Sequence, residues 1–283
     1  MKEHSNEYCV QTMCKLLKVS RSGYYKYINK TPSKRSVENE ALKEYITDIH
    51  NQFKMCYGYR RVKIELDVRG IIVNHKRVYR IMRECGLSGK HPRKKHGNYK
   101  KVQQDLIKDN ILMQDFSADM RNKTWVGDIT YIPTKEGFLY LMAYMDVYTR
   151  KIVGWSMDKN MREQLVLDAL ESAICSEAPG EGLIVHTDRG TQFIGKRYQA
   201  EIEKHGIVPS MSNAGNPYDN AIMESFNKSL KTEMMDNNKV FATREEAKKA
   251  IFEYIELFYN RKRRHSSLGY LSPLEYEKLN LTK

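Results

Sequence analysis

The chain has 283 residues, 41% of them hydrophobic, enough for one large domain or two modest ones and too many for a disordered tail. Its longest nearly apolar run, Phe138 to Met145, falls far short of the ~20 residues of a bilayer span, and the N-terminus has no secretory apolar stretch, so a soluble cytoplasmic protein without a membrane partner is expected. The net charge of +13 is uneven: residues 1–110 hold 25 Lys and Arg against 11 Asp and Glu, and residues 111–283 hold 23 against 24, which predicts a polyanion-binding N-terminal part and a nearly neutral part with a different task.

Residues 9–28, CVQTMCKLLKVSRSGYYKYI, predict a short helix ending near Leu17, a turn at Lys18 and Val19, and a second helix capped by Ser20. That is helix-turn-helix spacing, although ordinary helical hairpins share it. A second pair follows: YGYRRVKIELDVRG closed by Gly70, then Asn74 as the cap of HKRVYRIMREC, closed by Gly86. On a helical wheel Lys76, Arg80 and Arg83 fall within about 60° of one another with Arg77 beside them. Val78, Ile81, Met82 and Cys85 fall opposite. Such a helix packs by one face and offers cations to DNA phosphates by the other, or simply keeps a solvated basic face. Arg60 and Arg61, interleaved with Tyr57 and Tyr59, extend the same footprint.

Residues 89–101, GKHPRKKHGNYKK, read as an exposed linker or an arm that follows the DNA backbone. The five cysteines are scattered and form no CxxC, so buried thiols in a reducing compartment are expected, with neither a disulfide framework nor a zinc site.

From Lys123 the pattern changes to strands. TWVGDITYIP, FLYLMAYMDV and KIVGWSM are rich in aromatic and β-branched residues and are separated by short turns. A helix over 162–175, the strand GLIVHTD, a helix over 196–204, a strand over 208–211 and a helix within NPYDNAIMESFNKSLKTE come next. Three hairpin-connected strands followed by alternating helix and strand predict an α/β fold, a mixed sheet covered by helices. An amphipathic helix over 242–260 then leads into RKRRHSSLGYLSP, where Arg261, Arg263 and Arg264 grip DNA phosphates or end the helix favourably against its dipole.

Three carboxylates stand out. Asp128 lies inside an apolar strand, where a lone carboxylate is costly without a partner or a metal. Asp188 ends the strand LIVHT and starts the turn DRG; an Asp in such a place is often a turn cap. Glu224 shares a polar helical stripe with Asn220, Lys228 and Lys231, opposite Ile222, Phe226 and Leu230. Glu233 falls on the other side, and Asp219 reads as the N-cap. A salt bridge to Lys228 would by itself account for Glu224. Taken together, two strand aspartates and a helical glutamate can converge on a pair of divalent cations. Hard oxygen ligands suit Mg²⁺, with Mn²⁺ as a substitute, for activating an attacking hydroxyl and steadying a leaving oxygen. Asn220, Lys228 and Lys231 would then line the path of the DNA strand. Asp146, in the second strand, and His186, two residues before Asp188, read as structural.

WVGDITYI, HTDRGTQF and NAIMESFNKSLKTE resemble the three acidic motifs of the retroviral-integrase-like DDE transposases, with 35 residues between Asp188 and Glu224 and Lys231 seven residues further on. VSRSGYY, YGYRR, VNHKRVYRIMRECGL and YNRKRRHSSLGYLSP extend the resemblance to the OrfB product of insertion sequences of the IS-three type. The resemblance implies a ribonuclease-H-like five-stranded core in which Asp128, Asp188 and Glu224 bind two metal ions, nick a transposon end and join its 3′ hydroxyl to another DNA. It implies double-stranded DNA as substrate, at terminal inverted repeats and at a target. It also implies a homo-oligomer on DNA and a partner from the upstream frame, with a helix-turn-helix and leucine zipper. The expected layout is a helix-turn-helix segment over 1–35, a second DNA-binding helical segment over 36–88, a basic linker over 89–118, the core over 119–235 and a C-terminal helical extension with its basic loop over 236–283. A non-catalytic DNA-binding regulator and a purely hydrolytic nuclease are the rival readings.

Overall fold

Side-chain caps open several of the helices of the N-terminal unit, Met1–Ser88. Ser20, Ser33 and Asn74 accept backbone N–H groups from Gly23, Ser36 and Lys76, starting α2 (Arg21–Ile28), α3 (Lys34–Gln52) and α5 (His75–Glu84). Helix α1 spans Val10–Leu16 and α4 Tyr59–Val68. Gly70 and Gly86, at φ +76° and +68°, stop α4 and α5 as their spacing predicts. Leu42, Ile46 and Ile49 of α3, Val62 and Leu66 of α4, and Val78, Ile81 and Met82 of α5 form the buried centre. The computed structural model describes residues 1–29, 31–90, 108–213, 217–235 and 240–281; most of the basic arm expected over 89–101 lies outside them.

Three expectations change here. The boundary expected between residues 35 and 36 falls inside α3, a helix whose apolar positions are too sparse among its charges to announce it. Cys85, placed on the packed face, is exposed because it follows the last residue of α5. Cys9 and Cys175 are exposed as well, leaving Cys14 and Cys56 as the buried thiols.

The second unit, Gly89–Lys283, is built on a five-stranded sheet in the order β3-β2-β1-β4-β5. Strands β1 (Thr124–Thr134), β2 (Gly137–Asp146) and β3 (Ile152–Asp158) pair antiparallel, while β4 (Ile184–Thr187) and β5 (Val208–Met211) run parallel to β1. This is the mixed α/β sheet expected of a ribonuclease-H-like core. Helices α6 (Glu163–Glu177) and α7 (Lys196–Lys204) pack on one face, over Trp125, Met142, Tyr144 and Val185. Helix α6 comes so close that a Cβ on Gly154 would stand 2.5 Å from the Ala169 carbonyl oxygen.

Alternate residues of the same strands, Val126 and Ile132 among them, point to the other face, where α8 (Ala221–Met234) and α9 (Arg244–Phe252) pack on β1. The helix expected over 242–260 is continuous but changes to a π-helical stretch at Glu253–Tyr259. Helix α10, Pro273–Leu281, has no counterpart in the sequence reading. Among the described residues no helix is long and apolar enough to cross a membrane.

Candidate active site

The two strand aspartates owe their placement to register. Strands β1 and β4 pair in parallel through Val126 and His186, and Asp128 and Asp188 lie two residues beyond that pair, at one level where the strands part. Asp128 faces the side of the sheet covered by α8. Its carboxyl is pushed up to about 7, first by burial, then by the charge of Asp188 and, more weakly, of Glu224; the Ile129 N–H and the Lys231 ammonium oppose this. Asp188 accepts the Gly190 N–H at 2.9 Å, which forms the turn foreseen there. The residue is exposed, and the partial loss of water around its carboxyl raises its pKa against the lowering Gly190 N–H. Glu224 is exposed on the first turn of α8, and its pKa is raised by desolvation against the lowering charge of Lys228.

The donor set fits a divalent cation. Three hard carboxylates are involved, and the pKa of Asp128 responds to both of the others, so a cation among them relieves the repulsion that favours protonation. Among the described residues no three His, Cys, Asp or Glu side chains stand close enough to hold one ion between them. What brings the three together is geometry short of a closed cage: the β1–β4 register sets the two aspartates at one level, and Asn220 and Asn227 hold α8 to β1 on either side of Glu224.

The rest of the helical stripe divides. Lys228 is exposed beside Glu224, and Lys231 lays its ammonium 4.5 Å from the centre of the Tyr131 ring, an exposed aromatic on β1. Asn220 faces inward: it is buried and donates to the Gly127 carbonyl at 3.0 Å. Asn227, given no role by the sequence reading although it lies beside the stripe, donates to Asp128 Oδ2 at 2.7 Å. Helical phase places it near Glu224 but names no partner, and a bond to a residue 99 positions away leaves no signal in the sequence.

Asp219 is not the helix cap expected. It is buried, in a short 3-10 turn before α8, and accepts from Asn110, Gln114 and the backbone of Asn213. Glu233 sits opposite the stripe, as phase predicts, buried against Arg263 and the Tyr254 hydroxyl. Asp146 caps the β2–β3 turn by accepting from Thr149 and from the Asn122 N–H. His186 is buried with its two ring nitrogens on Ser210 and Ser212.

Of the cations assigned to DNA, Lys76, Arg80 and Arg83 are exposed on α5, Arg80 lying 3.5 Å from Glu84. Arg77 turns inward and binds Asn39 and Glu38 of α3, at 2.9 and 3.0 Å. The Arg60 and Arg61 guanidiniums lie over the rings of Tyr59 and Tyr57. In the C-terminal run Arg261 is exposed, Arg264 pairs with Glu275, and Arg263 is buried in its ion pair with Glu233. Arg263 is therefore committed to the interior, and the expected DNA contact does not apply to it.

Two integrase core domain models match residues 118–217 and 205–273, and an HTH-like domain model matches residues 37–95. The chain is 47% identical to the transposase for insertion sequence element IS904 of Lactococcus lactis over 89% of this chain and 100% of that one. It is 38% identical to the transposase InsF for insertion sequence IS3A of Escherichia coli K12 over 99% and 98% of the two chains. Among solved structures, the HTLV-2 integrase catalytic core domain in complex with magnesium is similar at 18% identity and a TM-score of 0.43, over 57% of this chain and 99% of that one.

Proposed function

The chain belongs to the insertion-sequence transposases with an integrase core and is a DDE transposase; on that premise we propose that it nicks the ends of its own element and joins them to target DNA with Asp128, Asp188 and Glu224. The observation that supports these three residues is geometric: the pairing of Val126 with His186 sets Asp128 and Asp188 at one level, and the helix that carries Glu224 reaches Asp128 through Asn227 at 2.7 Å. They would hold Mg²⁺, or Mn²⁺ in its place, as a pair of ions. Bound there, the metal supplies Lewis acidity to the attacking hydroxyl and to the leaving oxygen of a phosphodiester.

The chain's own residues do the rest. Asn227 orients Asp128, Lys231 offsets part of the negative charge around it, and Lys228 lies beside Glu224 where a phosphate of the reacting strand is met. Lys76, Arg80 and Arg83 of the N-terminal unit hold the double-stranded inverted repeat, and Arg60 and Arg61 extend that surface. The protein works on DNA in the bacterial cytoplasm as a homo-oligomer, with a helix-turn-helix and leucine-zipper partner from the upstream frame.

The test is incubation with end-labelled insertion-sequence-end DNA, a target plasmid and Mg²⁺. Nicked ends followed by labelled target support the proposal. Nicks without joined product favour a hydrolytic nuclease, and binding with neither product favours a regulator.

A further inference from the structure

Asn220 and Asn227 stand about one helical turn before and after Glu224, and both reach into the strand that carries Asp128. Both are about nine-tenths buried, at 8% exposure each. Each uses only the donor half of its amide: Asn220 gives its N–H to the Gly127 carbonyl and Asn227 to Asp128 Oδ2. The Oδ1 atoms of both are buried without a hydrogen-bond partner among the described residues. Turning the Asn220 amide over would set oxygen against the carbonyl oxygen of Gly127, and turning Asn227 would set oxygen against Asp128 Oδ2 in the ionised form that binds a cation. The orientation of each amide is thus fixed by its donor bond.

Leaving a buried carbonyl oxygen unpaired is unfavourable, because the desolvation of that oxygen goes uncompensated. Two such oxygens flanking one glutamate make a poor device for stability. They suit a device for position, the kind of local strain found at functional sites. We propose that Asn227, with Asn220 beside it, is a positioning residue that fixes the carboxylate of Asp128 relative to Glu224. The proposal rests on the reading of these carboxylates as holders of a divalent ion. The Asn227 N–H engages one lone pair of Oδ2 and restrains rotation of the carboxylate, leaving Oδ1 turned for a cation. Asn220 pins the adjacent backbone, so that α8 and β1 keep their register on both sides of Glu224.

The experiment titrates Mn²⁺ into the full chain, wild type and variants, and follows thermal unfolding in parallel. Asn227→Leu keeps the shape of the side chain and removes both the donor and the unpaired oxygen. Its Tm is expected to equal or exceed that of the wild type while Mn²⁺ affinity drops about tenfold or more, the usual effect of losing a hydrogen bond that orients a ligand. Asn227→Ala, less demanding of the packing, should lose the same affinity. A role confined to stability would lower Tm and leave Mn²⁺ affinity in place. Mn²⁺ binding by Asn227→Leu and Asn227→Ala as tight as wild type overturns the positioning role. If instead wild type binds Mn²⁺ no better than Asp128→Asn, the carboxylate reading itself fails and the proposal falls with it.

Discussion

Arg263 closes a two-pronged ion pair on Glu233, Nε to Oε2 at 2.8 Å and Nη2 to Oε1 at 2.7 Å, with both side chains buried. The Tyr254 hydroxyl donates to the same carboxylate, and Arg263 also donates to Ser229. The pair ties the last turn of the helix bearing Glu224 to the segment that follows the π-helical stretch. Removing one partner leaves a buried charge unanswered, which typically destabilises by about 3–5 kcal/mol. Arg263→Ala should therefore lower the urea midpoint of the protein sharply and leave the salt dependence of DNA binding unchanged. Normal stability with weakened DNA binding would return Arg263 to the phosphate-contact role read from the sequence.

The α5 face gives a contrasting pair of outcomes. Lys76, Arg80 and Arg83 are exposed, so replacing any one by Ala should weaken binding to insertion-sequence-end DNA and reduce the slope of log affinity against log salt by about 1. Arg77→Ala breaks bonds to Asn39 and Glu38 instead, and its main effect should be a lower Tm. Filter-binding or anisotropy titrations at several salt concentrations, beside thermal melts, separate the two.

Asp128 makes the core pH-sensitive. Its folded-state pKa of about 7 lies above the ordinary 3.8, so the folded chain holds this proton more tightly than the unfolded chain. The stability it contributes is present at low pH and is lost as pH rises through about 7. Asp128→Asn removes the charge while keeping an oxygen to accept from Asn227. In EDTA at pH 8 it should melt higher than wild type by a few degrees, roughly 2–8 °C. The difference should shrink as pH falls from 7 toward 5. A variant less stable than wild type at pH 8 would contradict the assigned cause.

Gly154 is needed for close approach. A Cβ there meets the Ala169 carbonyl and Ala173 at 2.5 Å, and neither is the flexible end of a side chain. Gly154→Ala should push α6 off β3 and destabilise by about 1–3 kcal/mol, as overpacking does. An unchanged denaturation midpoint would show that the helix shifts freely.

Much of this was legible in the residues. Strands β1 to β3 announce themselves by aromatic and β-branched runs, and α7 and β5 fall where the pattern puts them, because local periodicity settles them. Phase along α8 correctly sent Glu233 inward. Phase does not say what lies opposite, however, so Asn220 was read as a DNA-facing group when the Gly127 carbonyl receives it, and Arg263 as a surface cation when a glutamate 30 residues upstream buries it. Asp219 shows the same limit: its position before a helix suggests a cap, but its partners come from residues 110, 114 and 213. Partners distant in sequence leave no periodic trace.

The most direct test of the account compares DNA end-joining rates of Asp128→Asn, Asp188→Asn, Glu224→Gln and the triple variant, with DNA affinity measured alongside. Residues that act as one unit are strongly non-additive. Each single variant is expected to lose joining by about a thousandfold or more, close to the triple variant, while binding the end DNA as tightly as wild type. Any one of the three variants joining within about tenfold of wild type would contradict the assignment of that residue to the catalytic set.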